Sequence, residues 1–131
     1  MIRARTAAEQ AYCPYSKFPV GASAESDLGT FTGCNIENAS YSLGVCAERA
    51  AVHAAVAAGA RRITRLAVSC VQAANSDDIG ERMPCGACRQ VMAEFMAPDA
   101  VVIVDGAGIW RLDELIPQAF RLGRAVDKTS A

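Results

Sequence analysis

The pattern of hydrophobic and polar positions in the first half of the chain predicts a helix, two strands and a second, alanine-rich helix. A helix is expected over residues 4–12, because Pro14 cannot continue it. The runs FPVGASAES and GTFTGCNI flank a turn at residues 27–29 and predict a β-hairpin. The alanine density of residues 45–58, with a stop at Gly59, predicts a second helix that can pack closely on its neighbours.

The second half continues this alternation of strands and helices. ITRLAVSCV has the composition of a buried strand, and QAANSDDIGER is a polar loop. Pro84 introduces a third helix over residues 86–96. AVVIVDG and GIWRL predict two further strands, and LDELIPQAF predicts one or two final helical turns. Strands that alternate with helices of this length indicate an α/β domain layered around a central mixed sheet.

The length and composition predict a single domain over residues 1–131. The chain is 52% apolar and 21% charged, so it can bury a core. The tail AVDKTSA, from about residue 124, lacks apolar periodicity and is expected to be frayed.

The charge balance argues against several classes of partner. Thirteen basic and fourteen acidic residues give a net charge of -1, whereas proteins that grip the nucleic-acid backbone need a concentrated basic face. Residues 50–60 are too short a run to span a bilayer, and MIRARTAAEQAY has no apolar stretch like that of a signal peptide. We therefore expect a soluble cytoplasmic protein with a small neutral ligand and with no nucleic-acid or membrane partner.

The cysteines are the main candidates for chemistry, because thiols of cytoplasmic proteins stay reduced. Cys85 and Cys88 have metal-ligand spacing at a predicted helix start, where free N–H groups and the helix dipole favour thiolate. Cys46 also precedes a helix, so three thiolates can meet if both helix starts lie at one sheet edge. Three ligands with one open position are the catalytic pattern for zinc, which activates water at neutral pH. The other cysteines lack ligand spacing and are expected to be structural: Cys13, Cys34 and Cys70.

Three further residues of the second predicted helix, which follow Cys46, are considered separately. Glu48 lies near the predicted metal and could carry protons, although on its own a first-turn glutamate more often just interacts with the helix dipole. Arg49 is either an ordinary surface residue or a donor that offsets the negative charge of the sulfurs. His53, the single histidine, lies about two helical turns from Cys46 and is expected to be a packed or surface residue.

Four motifs in this order resemble those of the small cytidine deaminases: FPVGA at 18–22, GCNIENASY at 33–41, CAER at 46–49 and PCGACRQV at 84–91. A ligand-x-Glu followed by Pro-Cys-x-x-Cys is the zinc-deaminase signature. The resemblance, over about residues 12–120, implies a three-layer α/β/α fold with a five-stranded mixed sheet and one Zn²⁺ per chain. It also implies a hydrolase that deaminates cytidine and deoxycytidine in pyrimidine salvage.

The resemblance further implies a role for each matching residue. Cys46, Cys85 and Cys88 would hold zinc, Glu48 would shuttle protons, and Arg49 would temper the thiolates.

For the substrate, the resemblance implies that Phe18 packs on the pyrimidine ring and that Asn35 and Glu37 bind the ribose hydroxyls. Backbone groups near Ala47 and Met83 would contact the base edge, although Met83 stands where the family has a small hydroxyl residue. Phe120 resembles a carboxyl-terminal aromatic that reaches a neighbouring subunit's site, which implies a homotetramer.

Other functions remain open at this point. The nearest is deamination of another aminopyrimidine nucleoside such as blasticidin S, although NIEN and Phe120 favour cytidine or deoxycytidine. A thiol redox protein built on PCGAC would need neither Cys46 nor Glu48. A structural zinc module would bind metal without turnover, and a polynucleotide-editing deaminase would need a basic groove with aromatic platforms.

Overall fold

A computed structural model of the chain describes residues 1–123, and the tail predicted to fray lies outside the described residues. The elements follow in the order α1 (Ile2–Ala8), β1 (Gly21–Ser26), β2 (Gly29–Cys34), α2 (Ala47–Ala57), β3 (Ile63–Ser69), α3 (Gly86–Phe95), β4 (Val101–Val104), β5 (Gly108–Arg111) and α4 (Leu112–Leu115). Short 3₁₀ turns lie at Tyr41–Leu43, Val71–Ala73 and Ile79–Glu81. No helix within residues 1–123 combines the length and the apolar character that crossing a membrane requires.

The five strands form one mixed sheet in the order β2-β1-β3-β4-β5. β1 pairs antiparallel with both β2 and β3, β3 pairs parallel with β4, and β4 pairs antiparallel with β5. A parallel pair needs a crossover connection, and the chain from β3 to β4 supplies one that contains α3. The predicted hairpin and the predicted five-stranded mixed sheet are confirmed.

Helices cover both faces of this sheet, and two glycines show how closely they approach. A Cβ at Gly21 would lie 1.8 Å from the carbonyl oxygen of Ala4 in α1. A Cβ at Gly33 would lie 2.4 Å from the backbone nitrogen of Ala51 in α2. Gly33 is paired with Ala22, the neighbour of Gly21, so the two glycines face opposite sides of the sheet. The fold is therefore the expected three-layer α/β/α arrangement.

The main hydrophobic core lies between the sheet and the pair α2 and α3. Small side chains of α2 are fully buried there, as the alanine-rich pattern predicts. The largest fully buried side chains include Ile63, Leu66, Met92 and Leu112. Burying each large apolar side chain contributes roughly 1.5–3 kcal/mol, so this layer fixes the start of α2 firmly against the sheet.

Two helix boundaries differ from the prediction for a physical reason. The first helix ends at Ala8, and Tyr12 instead forms a parallel bridge with Ile36. The second helix begins at Ala47, because Val45 is held in an antiparallel bridge with the same Ile36. Both residues are drawn into extended pairing by a segment distant in sequence, which no local pattern reveals.

Candidate active site

The starts of α2 and α3 bring three cysteines together. Cys46 and Cys85 are the residues that cap these two helices, and both have extended backbone with ψ of 155° and 167°. Neither side chain caps the free backbone N–H groups at the start of its helix. Cys88 lies in the first turn of α3, three residues after Cys85 and so on the same face. The two helix starts therefore present their sulfurs at one edge of the sheet.

The three sulfurs have the spacing of ligands to one metal ion. The Sγ atoms of Cys46 and Cys85 are 3.9 Å apart, and those of Cys85 and Cys88 are 3.5 Å apart. Zinc with Zn–S bonds of about 2.3 Å and tetrahedral angles places sulfurs about 3.8 Å apart, so the cluster fits Zn²⁺ with one position left open. Within residues 1–123, no other group of His, Cys, Asp and Glu has this geometry, and His53 is exposed on α2 outside it.

The cluster stabilises negative charge on sulfur. Hydrogen bonding from the Cys88 thiol and from Arg49 lowers the pKa of Cys46 to about 5, although burial opposes the shift. The same thiol pair and burial raise the pKa of Cys88. One sulfur is thus a thiolate at neutral pH while its neighbour keeps a proton. A divalent cation bound here would displace the remaining thiol protons, because metal-ligating cysteines are deprotonated.

Arg49 faces this cluster. Its Nη2 donates to the Cys46 sulfur at 3.4 Å, and this bond is the main cause of the raised pKa of Arg49. Its Nε is buried and has no hydrogen-bond partner among the described residues. This contact supports the second of the two alternatives for Arg49, a donor to the sulfurs.

Glu48 is buried beside the cluster, with 5% of its surface exposed. Burial raises the pKa of Glu48 to about 7, and the nearby Cys46 charge adds to the rise. A first-turn glutamate that served only the helix dipole would lie at the surface and stay ionised. A carboxyl group that titrates near neutral pH can both accept and release a proton, which is what acid–base catalysis requires.

Asn35 and Glu37 lie on a segment that runs directly beside the cluster. Ile36, between them, exchanges two backbone hydrogen bonds of 3.0 and 2.9 Å with Val45, the residue before Cys46. The predicted sugar-binding residues are thereby brought to the same edge of the sheet as the predicted metal ligands.

The side chains of Asn35 and Glu37 also hold the loop before β1, which the sequence analysis did not foresee. Asn35 Oδ1 accepts the N–H of Val20 at 2.9 Å, and its Nδ2 donates to the Phe18 carbonyl at 2.8 Å. Glu37 Oε1 accepts the backbone N–H groups of residues 15 and 16 at 3.0 and 3.1 Å. Its Oε2 accepts the hydroxyl of Ser16. Ser16 is thus a residue of this site that sequence reasoning missed.

The remaining predicted contacts differ in exposure. Ala47, the first residue of α2, is fully buried, and Met83 packs against the core just before Pro84. Phe18 is half-buried. Phe120 is 68% exposed, and its carbonyl accepts a 2.9 Å hydrogen bond from Gln90 of α3. Phe120 thus presents a ring to its surroundings while its backbone is held by the helix that carries Cys88.

Two of the cysteines outside the cluster, Cys70 and Cys34, are stabilised as thiols. Burial raises the pKa of Cys70 to about 12, and its sulfur donates to the Arg82 carbonyl at 3.7 Å. Burial likewise raises the pKa of Cys34. Buried neutral thiols are poor ligands and nucleophiles, in line with a structural role.

Comparison with known proteins links this geometry to one family. Residues 1–104 match the family described as the cytidine and deoxycytidylate deaminase zinc-binding region. A cytidine deaminase of Sporosarcina psychrophila is 53% identical over 96 residues, which cover 72% of this chain and 66% of that protein. A cytidine deaminase of Mycobacterium tuberculosis is 45% identical over 120 residues, covering 91% of this chain and 85% of that protein. The crystal structure of a cytidine deaminase from Burkholderia pseudomallei superposes with a TM-score of 0.80 at 41% identity, covering 91% and 94% of the two chains.

Proposed function

Because this chain belongs to the cytidine and deoxycytidylate deaminase family, we propose that it catalyses the zinc-dependent hydrolytic deamination of cytidine and deoxycytidine to uridine and deoxyuridine. The observation that carries the proposal is a buried glutamate, Glu48, beside a cluster of three cysteines with zinc spacing. A redox protein or a structural zinc module has no need for that carboxyl group. Residues 1–131 would act as one domain.

Cys46, Cys85 and Cys88 would hold one Zn²⁺ per chain. When bound, zinc supplies an activated water at neutral pH in its open position. Three thiolates and a divalent cation leave one negative charge, which Arg49 would offset by its bond to the Cys46 sulfur. Arg49 would thereby keep the metal a good Lewis acid.

Glu48 would move the protons of the reaction. In its protonated form it donates to the ring nitrogen next to the carbon that bears the exocyclic amine, as water adds to that carbon. It then passes the proton taken from the water to the leaving amine, which departs as ammonia. Finally it takes the proton of the added hydroxyl group, which leaves a carbonyl oxygen on the ring and restores the protonated carboxyl group. A pKa of about 7 lets one carboxyl group serve as acid and as base in the same turnover.

The substrate would be held by residues at the same sheet edge. Phe18 would pack on the pyrimidine ring, and backbone groups near Ala47 and Met83 would contact the base edge. Asn35 and Glu37 would bind the sugar hydroxyls. Their contacts with the loop support this role, because the amide keeps one N–H and both side chains keep free acceptor lone pairs.

We further propose a cytoplasmic homotetramer that works in pyrimidine salvage, without nucleic-acid partners. Phe120 would complete the site of a neighbouring subunit. Its 68% exposure supports this arrangement, since a large exposed aromatic is typical of a surface that another chain covers. Several apolar side chains near the Asn35–Glu37 segment are also exposed: Tyr12, Tyr15, Ile36, Tyr41 and Leu43.

Ultraviolet absorbance of metal-analysed protein mixed with cytidine tests the proposed reaction. Loss of the cytidine band with about one zinc per chain is the expected result for a three-ligand catalytic site. Zinc without turnover would contradict the substrate assignment and direct the search to other aminopyrimidine nucleosides such as blasticidin S. The absence of both zinc and turnover would contradict the proposed function as a whole.

A further inference from the structure

Ser16 joins two residues that the proposed function assigns to different parts of the substrate. Its hydroxyl donates to Glu37 Oε2 and accepts the backbone N–H of Phe18 at 3.1 Å. A serine hydroxyl has one donor and two acceptor positions, so it makes both bonds at once. A single oxygen atom therefore lies between the carboxylate assigned to the sugar and the main chain of the residue assigned to the base.

Phe18 is held on its other side as well. Its carbonyl accepts a hydrogen bond from Asn35 Nδ2 at 2.8 Å, and Oδ1 of the same side chain accepts the N–H of Val20. Ser16 and Asn35 thus hold the two polar backbone groups of Phe18. This bracketing leaves the position of the ring to its own side-chain torsions, because the peptide units on both sides are hydrogen-bonded.

The backbone between Ser16 and Phe18 is bent in a way that needs support. Lys17 adopts a φ of 57°, in the left-handed region, and its N–H donates to the Cys13 carbonyl at 2.9 Å. That conformation is unfavourable for a residue with a Cβ, and it persists only where neighbouring contacts impose it. The bonds through Ser16 and Asn35 are those contacts.

The bond from Ser16 to Glu37 is of the stronger, charge-assisted kind. Hydrogen bonds from Ser16, first through its side chain, lower the pKa of Glu37, so the carboxylate stays ionised at neutral pH. Hydrogen bonds to an ionised acceptor are roughly twice as strong as neutral ones. The Ser16 hydroxyl therefore orients the carboxylate as well as the loop.

We infer that Ser16 is a positioning residue, which fixes the Glu37 carboxylate and the Phe18 main chain in one geometry and so couples sugar recognition to base packing. The inference rests on the proposed function, in which Glu37 binds a sugar hydroxyl and Phe18 packs on the ring. Ser16 acts through these two neighbours and not on the reacting atoms. Its loss changes how well the nucleoside is bound, while the acid–base chemistry of Glu48 is retained.

Ser26 offers a matched control on the same chain. Its hydroxyl accepts the N–H of Leu28 at 3.1 Å, two residues on, and donates to the Gly29 carbonyl at 2.7 Å. Ser26 thus makes the same local turn as Ser16, but at the exposed β1–β2 hairpin and without a carboxylate. Comparing the two serines separates the stabilisation of a turn from the positioning of a site.

The test measures kcat and KM for Ser16→Ala, Ser16→Thr and Ser26→Ala, with cytidine and with 2′,3′-dideoxycytidine, which lacks the 2′ and 3′ hydroxyls of the ribose. A competing substrate inhibits with a constant equal to its KM, so the dideoxynucleoside can be measured even where its turnover is slow. Zinc content and circular dichroism confirm that each variant is folded. Ser16 is exposed, so the extra methyl group of threonine has room.

Ser16→Ala is expected to raise the KM for cytidine about tenfold, which is about 1.4 kcal/mol, with kcat within about twofold. The KM for 2′,3′-dideoxycytidine should rise no more than about threefold, because only the base contact is affected. Ser16→Thr should restore the cytidine KM to within about threefold, and Ser26→Ala should match the unaltered protein. An equal rise for both nucleosides, or no difference between the two alanine variants, would overturn the inference. Failure of the unaltered protein to deaminate cytidine would instead overturn the proposed function on which it rests.

Discussion

The Arg49 guanidinium donates to the Cys46 sulfur from three residues further along the same helix start, at a distance of 3.4 Å. This is the spacing at which side chains on one helix face meet, so the ligand and its counter-charge are placed by a single turn of α2. The turn between them carries Glu48, whose carboxyl group titrates near neutral pH because it is buried. In the proposed function, one short stretch of helix would thus supply a ligand, a proton carrier and a compensating charge.

Removing the positive charge should weaken the site. Arg49→Ala is expected to lower zinc retention during dialysis against a chelator and to lower kcat/KM about 10–100-fold, as is typical when a partner of a metal ligand is lost. Arg49→Lys, which keeps the charge but loses the planar fork, should fall in between. Zinc content and initial rates measure both effects. Full activity and full zinc retention in Arg49→Ala would contradict the role given to this residue.

Replacing the proton carrier should separate chemistry from structure. Glu48→Gln is expected to keep zinc and fold while lowering kcat about a thousandfold, within the range for loss of a general acid–base group. His53→Gln, on the exposed side of the same helix, serves as the control and should remain within about twofold of the unaltered protein. Single-turnover rates and zinc analysis are the measurements. Turnover of Glu48→Gln at even a tenth of the normal rate would rule out Glu48 as the shuttle.

Shared sites predict that two impaired variants can restore each other. Phe120→Ala should lower kcat/KM about tenfold, since truncating a well-packed interface aromatic costs on the order of 1–2 kcal/mol or more. Mixed tetramers of Phe120→Ala with Glu48→Gln would contain sites with both an intact Glu48 and a partner's intact aromatic ring. Their activity after co-expression should exceed the sum of the separate variants at equal concentration. A strictly additive result would show that Phe120 serves its own chain or none.

An ion pair away from the site should set the acid stability of the fold. Asp105 accepts two bonds from Arg5, at 2.8 and 2.7 Å, and one from the Ser69 hydroxyl at 2.7 Å. The bond from Arg5 is the largest cause that lowers the pKa of Asp105 from its ordinary value of 3.8 to about 2. The carboxylate is therefore favoured in the folded state. Its stabilisation is complete above about pH 5 and is lost as the pH falls from about 4 towards 2.

Asp105→Asn is expected to lower the free energy of unfolding at pH 7 by about 1–2 kcal/mol, a value reduced for the exposure of the Arg5 side chain. It should also flatten the decline of stability between about pH 4 and 2, where Asp105 titrates. Urea denaturation at fixed protein concentration across this pH range measures both. Arg111→Ala, which removes an exposed pair with Asp113, is the control and should leave the free energy of unfolding and its acid limb nearly unchanged. An unchanged acid limb in Asp105→Asn would contradict the assignment.

Much of this architecture could be predicted, because local patterns carried it. The start of a helix at Cys46 and Cys85 follows from flanking turn residues and Pro84, and two such starts at one sheet edge bring sulfurs together. The contacts of Arg49 could not be predicted in the same way, because an arginine at the surface and one that donates to a sulfur have the same local sequence.

The contacts of the loop before β1 were out of reach for a different reason. Tyr12 fits the end of a helical run, yet it pairs with Ile36, twenty-four residues on. The sequence predicts sugar contacts for Asn35 and Glu37, but their bonds to Phe18 and Ser16 depend on how two distant segments meet. Such pairings follow from the tertiary fold, which overrides local preference.

Gly33 fixes the distance between the sheet and the start of α2, where Cys46 and Glu48 lie. Because no side chain stands between β2 and the backbone of α2, the two main chains touch directly, and such a contact cannot relax by changing a rotamer. Substitutions at outward-facing positions of α2 do not touch this contact, so they should leave Cys46 in place. A methyl group at position 33 would push the start of α2 away from the sheet. The distance between the proposed metal site and the proposed nucleoside site therefore depends on a residue that lies in neither.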